Sequence, residues 1–229
     1  MKHSPKISIA IDGPAASGKS TTARLVAREL GLLYIDTGAM YRAITLAVLR
    51  NNIDPSDENQ IVELARRTKI DLFPADSGVI TLMNSENVSE AIRNPAVNKI
   101  ISKVSAHSKL REIMVEKQRY LARDGGIVME GRDIGTTVLP GAQLKIFLHA
   151  SITERARRRF EELKAKGIKS NLQVIEDEIR RRDELDATRQ TAPLQPAKDA
   201  ILLDTSQLSI SDQVAEVLNL VKTRKLKGN

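Results

Sequence analysis

The chain of 229 residues predicts an α/β fold, a five-stranded parallel sheet flanked by helices, and two observations carry that prediction. Short apolar runs alternate with amphipathic helical stretches, the pattern of strands buried on both faces and linked by helical crossovers. The run Gly13-Pro14-Ala15-Ala16-Ser17-Gly18-Lys19-Ser20 fits G-x-x-x-x-G-K-S/T directly after the apolar stretch 7–11. A phosphate-binding loop belongs at such a strand-to-helix junction. Its glycines let successive N–H groups turn inward as a nest for phosphate oxygens, and the following helix adds its positive dipole end.

In chain order, the strands are expected at 7–12, 33–36, 126–131, 144–150 and 200–205, each buried on both faces. Helical periodicity covers 19–30, 39–51, 57–68, 95–105, 109–124, 152–166, 172–185 and 211–222. Gly31 reads as a helix stop, and Ser170 or Asn171 as the cap of the helix at 172–185. Residues 69–94 break the alternation. Three short strands at 70–73, 79–83 and 86–88, with turns at Asp76-Ser77-Gly78 and Asn84-Ser85, predict an antiparallel insert. The charged helix pair in 154–189 follows the fourth strand, where a mobile lid would close over a triphosphate. Ligands of such sheets bind at the carboxyl ends of the strands.

Composition removes several function classes. The chain has no cysteine, so thiolate nucleophiles, thiolate metal sites and disulfides are excluded. His3, His107 and His149 are scattered and form no ligand cluster. Residues 1–6 are polar, and no apolar run approaches the roughly 20 residues of a membrane span. A soluble, cytoplasmic, monomeric protein without membrane partners is expected, with a basic tail over 222–229 that frays. The formal net charge of +7 points to anions. With aromatics at 3 % and no continuous basic block, stacking platforms for nucleic acid are poorly supplied, so an RNA-binding module fits less well than a pocket for phosphates.

Motif content narrows the field further. Neither N-K-x-D nor D-x-x-G occurs, which sets aside a GTPase, and no apolar strand ends in Asp-Glu as in large ATPases. Small-molecule kinases remain. In them Lys19 would neutralise charge between the β- and γ-phosphates, and Ser20 would ligate the Mg²⁺ that accompanies ATP. An alcohol acceptor, as in a kinase of shikimate or gluconate, would use Asp36 at the end of the second strand as base. A phosphate acceptor needs cations instead, and Arg42, Arg132 and Arg189 sit at or just beyond the ends of elements. One arginine alone is most often a surface ion pair; the combination points to a phosphate clamp.

The segments Ile11-Asp12-Gly13-Pro14, Asp36-Thr37-Gly38-Ala39-Met40-Tyr41-Arg42, Val88-Ser89-Glu90-Ala91-Ile92-Arg93 and Glu130-Gly131-Arg132-Asp133-Ile134-Gly135-Thr136 carry a family resemblance. Arg182-Asp183 through Arg189, with Ala192-Pro193-Leu194, completes it. In this order, over nearly the whole chain, they resemble bacterial cytidylate kinases of the P-loop nucleoside monophosphate kinase family. The resemblance implies transfer of the γ-phosphoryl of ATP to CMP or dCMP. It also implies three parts: a core of 1–36, 106–150 and 190–229, a monophosphate-binding region with the insert at 37–105, and a lid region at 151–189.

Carried over by position, the resemblance makes Arg42, Arg132 and Arg189 the acceptor-phosphate clamp and Arg182 with Asp186 the ribose contacts. Ser102, Arg111 and Asp133 would read cytosine, with Thr37 near the sugar and base. Asp12 through Thr21 would hold ATP. Lys19, Arg132, Arg158 and Arg189 form the expected catalytic set, Arg158 representing the lid arginines Arg155, Arg158 and Arg159. A carboxylate accepting from the cytosine 4-amino group beside an arginine donating to ring acceptors matches the cytosine pattern; uracil would present an oxygen instead. Two positions depart from many relatives: Glu130 stands where Asp is usual, and Thr37 where Ser is usual.

Overall fold

A computed structural model describes residues 7–75, 78–165 and 167–226, the side chains of 225 and 226 excepted. The expected turn at Asp76-Ser77, Lys166 in the lid connection, the first six residues and the end of the basic tail lie outside the described residues. The main sheet contains β1 (Ser8–Asp12), β2 (Leu33–Asp36), β6 (Ile127–Gly131), β7 (Leu144–His149) and β8 (Ile201–Asp204), all parallel, in the order β2-β6-β1-β7-β8. The predicted five-stranded parallel sheet is therefore present. Since the chain crosses from β6 over β1 to β7, the carboxyl ends of β1 and β6 lie side by side where the winding reverses, the usual ligand crevice of such sheets.

Burial on both faces holds for the three central strands but not for the edges. Every residue of β6 is buried, and β1 is buried from Ile9 to Asp12. The edge strands β2 and β8 alternate or end in exposed residues, with Leu33 and Leu202 open to solvent. Each has a neighbour on one side only and a short span, so helices cover it incompletely.

Around the sheet pack α1 (Lys19–Leu30), α2 (Thr37–Arg50), α3 (Glu58–Arg67), α4 (Pro95–Ala106), α5 (Ser108–Ala122), α6 (Ile152–Ala165), α7 (Leu172–Thr188) and α8 (Ile210–Leu226). Local chemistry sets their ends. Asp57, Asn94 and Asn171 cap α3, α4 and α7 by accepting backbone N–H groups with their side chains, and Pro95 opens α4 where no N–H is required. Gly31 closes α1 in the left-handed conformation. Helix α2 starts two residues earlier than its periodicity implies, because the Asp36 side chain accepts the Ala39 N–H at 2.9 Å and draws Thr37 and Gly38 into the first turn.

The insert forms the expected antiparallel sheet, β3 (Ile70–Ala75), β4 (Gly78–Met83) and β5 (Glu86–Asn87). Separate apolar clusters underlie the parts. Residues Ile9, Ile11, Ala23, Val26, Ile146 and Val217 build one between the sheet, α1 and α8. A second joins α2, α3, α4 and α5 to Ile70 and Met83 of the insert. A third lies between the sheet, α5 and the segment after β6, with Ala10, Ile35, Val115, Met129 and Ile134, and a small fourth, Ala156, Ile175 and Ile179, holds α6 to α7 and packs on Ala16 of the phosphate loop. Among the described residues no helix is long and apolar enough to cross a membrane.

Candidate active site

The loop between β1 and α1 has its carbonyls committed to the protein. Gly13 O accepts from Arg132 Nη1 at 2.9 Å, Pro14 O from Lys19 Nζ at 3.3 Å, and Ala15 O from Arg155 Nη1 at 3.2 Å. Ser17 O accepts from Thr205 Oγ1 at 3.0 Å and from Arg158 Nη1 at 3.4 Å. With the carbonyls held, the loop N–H groups are the donors left to meet an anion. Glycine is obligatory at both ends. A Cβ on Gly13, at φ 154°, would sit 2.2 Å from Leu148 O, and one on Gly18, at φ 93°, would sit 2.6 Å from Gln213 Oε1. Ala16 adopts φ 59° without being glycine, strain that concentrates at functional loops.

Lys19 is buried, with Nζ 3.8 Å from Glu130 Oε2. Burial first, and then the Arg132 charge, push the Lys19 ammonium well below its usual range. Burial and the neighbouring Asp36 raise the Glu130 carboxyl, which accepts from Tyr34 Oη at 2.7 Å and from the Ser20 hydroxyl. Glu130, which meets Lys19, Tyr34 and Ser20 here, stands out in the sequence only as a departure from the usual Asp. Its signal was an acid closing the apolar run Ile127-Val128-Met129. The hydroxyl of Ser20 and the carboxylate of Glu130 are hard oxygen donors of the kind Mg²⁺ accepts, usually one or two from protein with the rest from phosphate and water. Pro14 and Thr21 complete the loop and the start of α1.

Beyond the loop, arginines converge. Arg42 donates to Asn98 Oδ1, and burial, with Arg93, Arg132 and Arg159 nearby, lowers its affinity for a proton. Burial and then Arg132 bring Arg182 down to about 10. Arg132 Nε donates to Asp186 Oδ2 at 2.9 Å, while Arg189 stands 3.7 Å from Asp133 and 4.0 Å from Asp186. Burial pushes the Asp186 carboxyl up, but Arg132 and Arg182 outweigh it and hold the group below the usual range. Arg182 Nε and Arg189 Nη2 are buried with no hydrogen-bond partner. Cations that depress one another and keep donors unused form a site awaiting an anion.

At the far end of the pocket Arg111 Nη2 donates to Asp133 Oδ2 at 2.6 Å, both side chains buried, and Arg111 Nη1 donates to Ser105 O at 3.2 Å. The Arg111 guanidinium also lies over the Tyr41 ring, 5.4 Å from its centre. Ser102 is half-buried on α4, three residues before Ser105. Thr37 is buried and its Oγ1 donates to Glu130 O at 2.7 Å, which leaves only its lone pairs for a sugar hydroxyl.

Three side chains of the sequence expectations have protein partners in this structure. The Asp12 carboxylate, expected among ATP contacts, accepts the Ile134 and Gly135 N–H groups at 2.8 and 2.7 Å. Asp36, the alternative base for an alcohol, is engaged as the cap of α2 and lies 3.8 Å from Arg93. Arg158, one of the three lid arginines expected near the transferring phosphoryl, bonds Glu154, Ser17 O and both oxygens of Thr205 and so braces the loop. Arg155 is similarly buried between Ala15 O, Ala150 O and Asp183, whereas Arg159 is less enclosed, bonded to Glu162 and close enough to Arg42 to lower it.

Comparison with known proteins shows the family. The model of the family Cytidylate kinase matches residues 9–223. A cytidylate kinase of Geobacillus kaustophilus is 51 % identical over 219 residues, covering 96 % of this chain and 98 % of the relative. One from Bacillus velezensis is 50 % identical over the same length, with the same coverage of both chains. Among solved structures, a shikimate kinase from Acinetobacter baumannii in complex with shikimate superposes with a TM-score of 0.50 at 14 % identity, covering 96 % of each chain, a likeness of fold alone. By sequence over almost its full length, the chain belongs to the cytidylate kinase family.

Proposed function

We infer that the protein transfers the γ-phosphoryl group of ATP to CMP or dCMP, giving ADP and the corresponding diphosphate. The observation that carries this reading is the pairing of two anion sites, the phosphate loop and the Arg42, Arg132, Arg182 and Arg189 cluster, with a buried Arg111–Asp133 pair beyond the second. Two phosphates that repel in water are brought together by fixed cations, so the catalytic problem is placement and charge compensation rather than proton abstraction. Lys19 and the loop amides hold the donor phosphates. Arg42, Arg132 and Arg189 hold the acceptor phosphate, Arg182 and Asp186 face the sugar, and Asp133 with Arg111 and Ser102 reads cytosine.

When bound with ATP, Mg²⁺ supplies charge neutralisation at the phosphates, and Ser20 and Glu130 are the residues that would hold it. The lid arginine suited to follow the transferring group is Arg159, because Arg155 and Arg158 are occupied in bracing the loop. A cytoplasmic monomer fits this chemistry, and light scattering checks the oligomeric state. The direct test is ADP release from Mg²⁺-ATP with CMP, dCMP, UMP, AMP, GMP, shikimate or gluconate as acceptor. Turnover concentrated on CMP and dCMP is expected; turnover with an alcohol alone would overturn the reading.

A further inference from the structure

Asp12 is 4 % exposed and lies at the end of β1, one residue before the phosphate loop. Its two carboxylate oxygens each take one main-chain N–H, from Ile134 and Gly135. Those residues open the single π-helical turn Ile134–Val138, so their N–H groups are the orphan donors of a helix start. A helix start preceded by Asp is ordinarily capped by that residue's own side chain. Here the preceding residue is Asp133, and its side chain makes no cap bond. Instead it pairs with Arg111 at 2.6 Å and stands 3.7 Å from Arg189.

The same stretch of β1 grips the segment from its other side, because Gly13 O accepts from Arg132 Nη1. Residues 12 and 13 thus hold residues 132 to 135 at both ends. The nearby cation on β7 does not compete: the Lys145 ammonium is 2.9 Å from Asp199, and only its stem packs at Gly135.

We propose that Asp12 is a positioning residue for the acceptor, capping the Ile134–Val138 turn in place of Asp133 and so keeping the Asp133 carboxylate, beside Arg111, available to the base. Without this cap the two orphan amides would compete with the base for Asp133 itself. The inference rests on the assignment of Asp133 to cytosine, and it moves Asp12 from the donor side of the site to the acceptor side.

The test measures steady-state kinetics for CMP, UMP and ATP with Asp12→Asn and Asp133→Asn in parallel. Asn at position 12 turns an amide N–H₂ toward one of the two amides and removes one acceptor. For Asp12→Asn the expected result is a rise of about tenfold in KM for CMP, a smaller CMP-over-UMP preference, and KM for ATP within about twofold of the parent, since an ångström of misplacement costs up to about a hundredfold. If Asp133→Asn loses the preference while Asp12→Asn keeps parental acceptor kinetics, the inference fails and the base assignment stands. If Asp133→Asn keeps the preference, the base assignment fails and takes the inference with it. A rise in KM for ATP equal to that for CMP also overturns it. Should Asp12→Asn not fold, Gly135→Ala disturbs the same contact, because its methyl would lie 3.3 Å from Asp12 Oδ2 and from Lys145 Cδ. A shift of about threefold in KM for CMP alone is then expected, and unchanged acceptor kinetics refutes the role.

Discussion

Burial lowers the hold of Lys19 on its proton, and an arriving phosphate would strengthen it. With Arg132 adding to the desolvation and Glu130 3.8 Å away, the ammonium has more to gain from a phosphate oxygen than an exposed lysine would. Replacing Lys19 by Ala is expected to lower kcat at least about a hundredfold with every acceptor, the scale of losing one preorganised charge-stabilising donor. Near-parental turnover would show that the loop does not hold the donor. At the other end of the site, Asp133→Ala is expected to cost CMP at least about tenfold more in kcat/KM than UMP, the range of one good bidentate base contact. Equal losses for both acceptors would remove Asp133 from base reading. The types of these residues were legible in sequence; their partners were not. Nothing in the spacing shows that Thr37 donates to Glu130 O or that Asp12 accepts from Ile134 and Gly135.

At the scale of elements, α6 and α7 brace the phosphate loop. Helix α6 delivers Arg155 and Arg158 to the loop carbonyls, while α7 delivers Asp183 and Asp186 to Arg155 and Arg132, so the α6–α7 pair is tied to the loop through charged contacts and the small cluster around Ala156. The start of α7 is exposed and depends on Asn171, whose side chain accepts the Val174 N–H at 3.2 Å. Asn171→Ala is therefore expected to cost about 1 kcal/mol locally, read as faster amide exchange in the first turn of α7, with kcat changed less than about twofold. A large loss of kcat would mean that this turn contributes to closure. Element type and order were legible because hydrophobic period and caps are local signals, as Asn94-Pro95 and Gly31 illustrate. Exposure of β2 and β8 was not, since whether a strand lies at an edge is decided by sheet order.

For the whole molecule, the buried acid at the centre of the sheet couples stability to pH. Burial raises Asp12 from 3.8 to about 6, against the two N–H donors that lower it. Between those values the folded state keeps a proton that the unfolded state has released, so stability falls as pH rises from about 4 to 6, by up to about 3 kcal/mol. Asp12→Asn cannot titrate there. Denaturant unfolding of the parent and this variant at several pH values is expected to show a difference that changes across this window and flattens above it. A constant difference would mean that the Asp12 carboxyl titrates alike in both states. Glu154, held down to about 2 by Arg157 and Arg158, has the opposite sign: its contribution is present above the usual glutamate range and is lost as pH falls toward 2.

The sequence by itself determined the strand and helix order, the antiparallel insert and the phosphate loop, because each depends on residues close together in the chain: a period, a cap, or four positions between two glycines. Only the tertiary structure decided which charges meet. Arg111 and Asp133 are 22 residues apart, and Arg132 and Asp186 are 54 apart. Many arginines in this chain could in principle have faced an anion. Packing of α5 against the π-helical turn, and of α7 across the strand ends, chose among them, because a salt bridge is specific only once the backbone has brought its two ends within a few ångströms.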